Sequence, residues 1–164
     1  MIYVTVGTNE ARFDRLLQAV AALRVDETVL VQHGHSSPLG PPGAELVDFL
    51  PFEGMVDAIK RARVVVTHAG VGSVLVTLGE GKRPVVLPRL KQHGEAVDDH
   101  QLQLGRRFAE AGLVTLVETR DELAAAVAAK EHTAAVLPRQ SALVGDLRSF
   151  LEAAVAPAAE VASA

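Results

Sequence analysis

Between Thr67 and Pro88 the chain reads THAGVGSVLVTLGEGKRPVVLP. His68 stands directly after an apolar run, and Gly70, Gly72 and Ser73 follow it at a spacing that suits a turn entering a helix. Glycine permits positive φ and close approach of backbone to a ligand, and a serine hydroxyl can cap a helix or donate to a phosphate oxygen. The first turn of a helix adds unpaired N–H groups and roughly half a positive charge. Together these are donors suited to a diphosphate. The same residues would also make a plain tight turn with a serine cap, and the histidine would also serve as a buried structural group.

A second glycine-rich junction, Gly7-Thr8, follows the run IYVTV near the start of the chain. Neither junction is a dinucleotide or P-loop fingerprint. G-x-G-x-x-G is absent because Leu75 stands where the third glycine would be, and GEGKRP, which includes Gly79, Gly81 and Lys82, lacks the spacing and hydroxyl residue of a P-loop. His33-x-His35, His93 and His100 form no metal-ligand spacing, and no carboxylate pair stands out as a glycosidase couple. No metal and no cofactor are expected.

The elements that must position these residues follow from hydrophobic pattern. Ile2–Val6, Thr28–Gln32, Glu45–Phe49, Val64–Val66, Val85–Leu87 and Val114–Val117 are short, β-branched and mostly apolar, as parallel strands covered on both faces are. Between them, Phe13, Leu16, Leu17, Val20 and Leu23 recur at helical spacing, as do Met55, Ile59 and Ala62. Further helices are expected over Val71–Glu80, Val97–Ala111, Asp121–Lys130 and Ser141–Val155, with a long Gly/Pro/Ser loop over Gly34–Gly43. Strands alternating with helices predict an α/β, Rossmann-like, doubly wound parallel sheet of about six strands. Residues 1–155 form one domain in this reading, and 156–164 an Ala-rich disordered tail.

Composition narrows the function. The 164 residues suit one domain with a sizeable core, at 49% apolar content. A net charge of −4, from 16 basic and 20 acidic residues spread along the chain, gives no footprint for nucleic acid. The absence of cysteine removes disulfides, thiolate metal sites and cysteine nucleophiles. No signal-like N-terminus and no run of 18 apolar residues is found, so a cytoplasmic protein is expected, brought to a membrane only by something else.

HAGVGSVLVTLGEGKRPVVLP, followed by GEAVDDHQLQLGRRFAEAGL, resembles the C-terminal, donor-binding half of family 28 GT-B glycosyltransferases. More narrowly it is similar to the small stand-alone subunits of two-part transferases, including PssE-like proteins and the soluble subunit of the dolichol-linked UDP-GlcNAc transferase. MIYVTVGTNEARFDRLL and FLPFEGMVDAIKRARVVVTHAG extend the similarity over residues 1–117. The resemblance implies a catalytic subunit that binds a UDP-sugar as donor and transfers the sugar with inversion. Gly70, Val71, Gly72 and Ser73, with Gly7 and Thr8, would hold the diphosphate, and His68 would be the catalytic residue approaching the same phosphates. Phe52 would line the uracil site, and His100 and Gln101 would bond the sugar hydroxyls. By pattern alone, Asp98, Asp99 and His100 read as an exposed, dipole-favoured first helix turn. Val76 stands where many relatives carry a ribose-binding glutamate.

The resemblance further implies that the acceptor half and the general base belong to a membrane-anchored, PssD-like partner, which would hold this chain at the inner face of the membrane. The acceptor would be lipid-linked, in polysaccharide or glycolipid synthesis. A homodimer of the isolated chain is the other assembly to consider. His33, His35 and the 34–43 loop would lie near the docking edge or be simply solvated, and the 141–155 helix would dock or pack on its own sheet. A nucleotide-sugar-binding module without turnover is the alternative function.

Overall fold

The computed structural model describes residues 1–129 and His132. The helix expected over 141–155 and the tail expected over 156–164 lie outside the described residues.

The strands are β1 (Ile2–Thr5), β2 (Val29–Gln32), β3 (Glu45–Val47), β4 (Val64–Thr67), β5 (Val85–Val86) and β6 (Thr115–Leu116). They form one six-stranded sheet in the order β3-β2-β1-β4-β5-β6, parallel at every pairing. The Rossmann-like α/β architecture expected from the sequence is therefore present. The helices are α1 (Asp14–Ala21), α2 (Phe52–Arg61), α3 (Val71–Gly79), α4 (His100–Glu110) and α5 (Arg120–Ala128).

Side-chain alternation splits the core between the two faces of the sheet. Ile2, Val4 and Val6 of the β1 segment pack with Leu16, Leu17 and Val20 of α1 and with Leu123 and Val127 of α5. Tyr3, Leu30 and Val65 point the other way, onto Ala58 and Ile59 of α2. Val86 joins Val74 and Leu78 of α3 and Phe108 of α4. Each fully buried Val, Leu or Ile contributes about 1.5–3 kcal/mol, so these clusters fix which way every strand faces.

Strand order reverses between β1 and β4, the place where open α/β sheets leave a crevice outside the strand C-termini. Both glycine-rich junctions are there. Gly7 follows β1 with φ 78°, and His68-Ala69-Gly70 follows β4.

Two expectations need correction. The helix expected from Val97 starts only at His100, after a single 3-10 turn at Lys91–His93 and a left-handed Gly94. Val97 is 89% exposed and anchors nothing. Asp98 and Asp99 instead end the loop: an Asp98 carboxylate oxygen accepts from the His100 N–H at 3.0 Å, and one of Asp99 accepts from the Lys91 N–H at 3.0 Å. Ser73 is also not a helix cap. Gly70 takes the N-cap place in α3 without a side-chain bond, and Ser73 is the third helical residue.

Candidate nucleotide-sugar site

Outside the C-termini of β1, β2 and β4 lies a groove of about 490 Å³, lined by Thr5, Gly7, Thr8, Asn9, Gln32, Phe52, Met55, His68, Gly70, Gly72, Ser73, Val76 and Gln101. Its polar wall is the start of α3. The first internal bond of that helix runs from the Val74 N–H to the Gly70 carbonyl, 3.1 Å, so the N–H groups of Val71, Gly72 and Ser73 have no partner within it. No acidic residue stands in that first turn. Positive helix potential and free donors thus meet in one place. Gly72 has nothing within 4 Å of where a Cβ would stand, leaving its backbone open to close approach.

His68 forms the next part of the wall. Its imidazole fills the space between the two junctions: a Cβ on Gly7 would lie 2.9 Å from Nε2, and one on Gly70 would lie 2.8 Å from Cδ2. The two glycines therefore make room for a ring as well as a turn. Nδ1 is 3.3 Å from the Thr67 hydroxyl. Burial, reinforced by the Arg89 charge, lowers the imidazole pKa from 6.5 to about 4. The ring is neutral at pH 7, a hydrogen-bonding group and not a cation.

Gln101 reaches the groove from α4. Its Oε1 accepts from the Arg89 N–H at 3.2 Å, which leaves Nε2 as the free end. His100 is separated from it. It lines a neighbouring groove of about 580 Å³ with Val71, Gln103, Leu104 and Arg107, while Gly70 and Gln101 border both grooves. Nδ1 of His100 is 2.6 Å from an Asp98 oxygen on the exposed surface. Contacts from the His100 N–H and ring hold Asp98 below the usual carboxylate range. Gln103, an ordinary helix-surface residue by pattern, borders this second groove.

Of the ten residues singled out by sequence, the structure thus brings Gly7, Thr8, Phe52, His68, Gly70, Gly72, Ser73 and Gln101 onto one groove and places Val71 and His100 beside it. Val76 does line that groove. His33 and His35 follow β2 at the same end of the sheet, with His35 edge-on to Phe49 at 5.2 Å, and neither lines the groove.

The supporting residues escaped the sequence reading. Arg89, fully buried after β5, donates to the carbonyls of Val6 (2.9 Å), Ala11 (2.7 Å), Arg12 (3.3 Å) and Glu95 (3.2 Å), and its guanidinium lies 4.7 Å from the Phe13 ring centre. Arg15 grips Glu95 through Nε (2.9 Å) and a terminal nitrogen (2.8 Å), and Glu95 also accepts from the Leu90 N–H at 3.0 Å. These ties join the Gly7 loop of one wall to the loop that carries Gln101's partner. An isolated arginine in RPVVLPRLK gives no pattern by which this could be seen.

A family model, the Glycosyltransferase family 28 C-terminal domain, matches residues 1–145. The chain belongs to this family. A curated relative, the UDP-N-acetylglucosamine transferase subunit ALG13 of Homo sapiens, is 30% identical over 123 residues, which is 68% of this chain and 10% of that protein. The subunit of the same name from Yarrowia lipolytica is 32% identical over 85 residues, covering 52% of this chain and 39% of that one. The family 28 domain described here therefore spans a minor part of either relative. Among solved structures, the glycosyltransferase of kitacinnamycin superposes with a TM-score of 0.58 at 25% identity, over 90% of this chain and 39% of the other. The sheet is that of one half of a GT-B glycosyltransferase.

No helix among the described residues of the family 28 domain is long and apolar enough to cross a membrane.

Proposed function

We propose that the chain is the donor-binding, catalytic subunit of a two-part inverting glycosyltransferase, moving a sugar from a UDP-sugar to a lipid-linked acceptor. The observation that carries this is the meeting of the open N-terminal turn of α3 with His68 and Gly7 at the strand-order reversal. Membership in family 28 and the similarity to UDP-N-acetylglucosamine transferase subunits support the UDP-sugar and the division into subunits.

In this reading the acceptor hydroxyl attacks the anomeric carbon opposite the departing diphosphate. Negative charge grows on that leaving group. The N–H groups of Val71, Gly72 and Ser73, the Ser73 hydroxyl, Gly7, Thr8 and neutral His68 stabilise it as fixed donors, and loss of one such donor costs roughly 10² to 10³ in rate. Phe52 lies along the base, and Gln101 presents Nε2 to the sugar, with His100 at its margin. No carboxylate is among the residues lining the groove, and an imidazole with a pKa near 4 is a poor proton acceptor at neutral pH. The general base accordingly comes from the acceptor-binding partner, a PssD-like membrane-anchored subunit docked over the strand C-termini, which keeps this chain at the cytoplasmic face. The setting is polysaccharide or glycolipid synthesis.

Thermal unfolding of the chain with UDP, UDP-sugars, dTDP-sugars and NAD tests the donor site. A ligand at 100 times its dissociation constant adds about 2.7 kcal/mol. Stabilisation by UDP compounds and not by NAD is expected; no response to any nucleoside diphosphate overturns the reading. The apolar Val76 in the groove wall favours one second reading, a binding module without turnover. Sugar transfer to a lipid-linked acceptor by the chain co-expressed with its partner, lost in His68→Ala, excludes that alternative.

A further inference from the structure

Three central strands that are otherwise apolar each end in a polar residue: Thr5 in β1, Gln32 in β2 and Thr67 in β4. Register sets them side by side, with Thr5 opposite both Gln32 and Thr67. By alternation they share the sheet face of Tyr3, Leu30 and Val65, the face covered by α2 and, farther along, α3. All three are buried, at 2%, 3% and 0% exposure.

The two threonine hydroxyls each have a protein partner. The Thr5 hydroxyl accepts from the Gly7 N–H at 3.1 Å, and the Thr67 hydroxyl lies 3.3 Å from His68 Nδ1. Gln32 differs. Its Oε1 accepts from the Tyr3 hydroxyl at 3.0 Å, which fixes the amide plane, but among the described residues nothing accepts from Nε2. Tyr3 is itself fully buried, so this anchor cannot swing away. Gln32 lines the groove, and Nε2 is the end of its otherwise buried side chain left free to donate there.

Strand order says which part of a ligand it meets. Phe52 opens α2 after β3, and the free N–H turn of α3 follows β4; β2 and β1 lie between them. A nucleoside diphosphate with its phosphates on the α3 turn and its base along Phe52 spans β1 and β2 with its ribose. Val76, also in the lining, offers that sugar no hydrogen bond.

We propose that Gln32, oriented by Tyr3, is a ligand-binding residue that donates from Nε2 to a ribose hydroxyl of the bound nucleotide. This rests on the nucleoside diphosphate reading of the groove. Gln32 binds the ribose and Tyr3 is a positioning residue.

Calorimetric titration of the full chain with UDP, 2′-deoxy-UDP and 3′-deoxy-UDP tests the assignment. Loss of a neutral hydrogen bond corresponds to roughly 2- to 12-fold in affinity. The wild type is expected to prefer UDP to at least one deoxy analogue by that factor. Gln32→Met, close to the same shape, is expected to weaken UDP by the same factor and bind all three alike. A role confined to packing would lower the melting temperature without touching this preference. Tyr3→Phe leaves Gln32 in place but unfixed, and is expected to reduce the preference. A wild type indifferent to the deoxy analogues, or a Gln32→Met chain that keeps the preference, overturns the proposal. Failure of the wild type to bind any of the three overturns the nucleotide reading itself. Binding with no ribose preference removes Gln32 alone.

Discussion

His68 and Gly70 compete for one volume: a Cβ on Gly70 would overlap Nε2 of the imidazole and stand 2.8 Å from Cε1. The ring can be placed over the α3 turn because the residue two positions on has no side chain. Gly70→Ala is therefore expected to displace the ring rather than unfold the chain, lowering stability by about 1–3 kcal/mol. His68→Ala/Gly70→Ala should recover most of that loss while remaining weak for UDP. The check is a double-mutant cycle by urea denaturation; additive losses would mean that the two residues do not share the space.

The depressed imidazole pKa makes stability depend on pH. In the folded chain His68 titrates near 4, against an ordinary 6.5. Between those values the unfolded chain holds a proton that the folded chain refuses, so stability is complete above pH 6.5 and is lost as pH falls toward 4. With the partial exposure of the ring discounted, the loss is about 2–3 kcal/mol. Comparing wild type with His68→Gln by urea denaturation from pH 7 to 4 isolates it: the wild type should lose more over that range. Parallel curves would refute the shift.

Ser73 separates the two roles a serine can have near a helix start. A capping serine replaced by alanine costs about 1 kcal/mol. In the third helical position, with its hydroxyl unbonded among the described residues, Ser73→Ala should change unfolding free energy by less than about 0.5 kcal/mol. Its affinity for UDP should nonetheless fall several-fold by calorimetry. A large stability loss with unchanged affinity would reverse the assignment.

Glu95 is 4% exposed and receives three hydrogen bonds, two of them from Arg15. Removing one side of a buried ion pair strands the other charge. Glu95→Ala is expected to cost about 2–4 kcal/mol in urea denaturation and, by freeing the loop before α4, to weaken sugar-donor binding through Gln101. Exposed pairs such as Arg61 with Asp57 should contribute under about 1 kcal/mol by the same measurement.

The sheet was legible because parallel strands covered on both faces must be apolar throughout, and each such run found in the sequence is a strand, with ends shifted by a residue or two. The His68 to Ser73 turn was legible for a related reason: glycines between a strand and a helix need a local explanation. The start of α4 was not. Val97 continued an apolar rhythm, but an Asx turn at Asp98 and the loop bond of Asp99 to Lys91 set the boundary, and such side-chain-to-backbone bonds compete with helix without changing hydrophobic period. Gln32 was hidden in plain sight as the last letter of TVLVQ. Only register reveals that it shares a row with Thr5 and Thr67. Arg89 was illegible because three of its four partners are carbonyls 77 to 83 residues away in sequence, and backbone acceptors carry no residue type.

Arg89 has one more consequence. Loops at the rim of an α/β sheet are ordinarily interchangeable parts, where insertions collect and where related proteins drift apart. Here a single guanidinium clasps the Val6–Arg12 connection and the Glu95 loop at once. Neither can be lengthened or swapped without unfastening the other, so the two rims must change in concert. In hydrogen exchange they should open as one unit, with a common rate set by the withdrawal of one side chain.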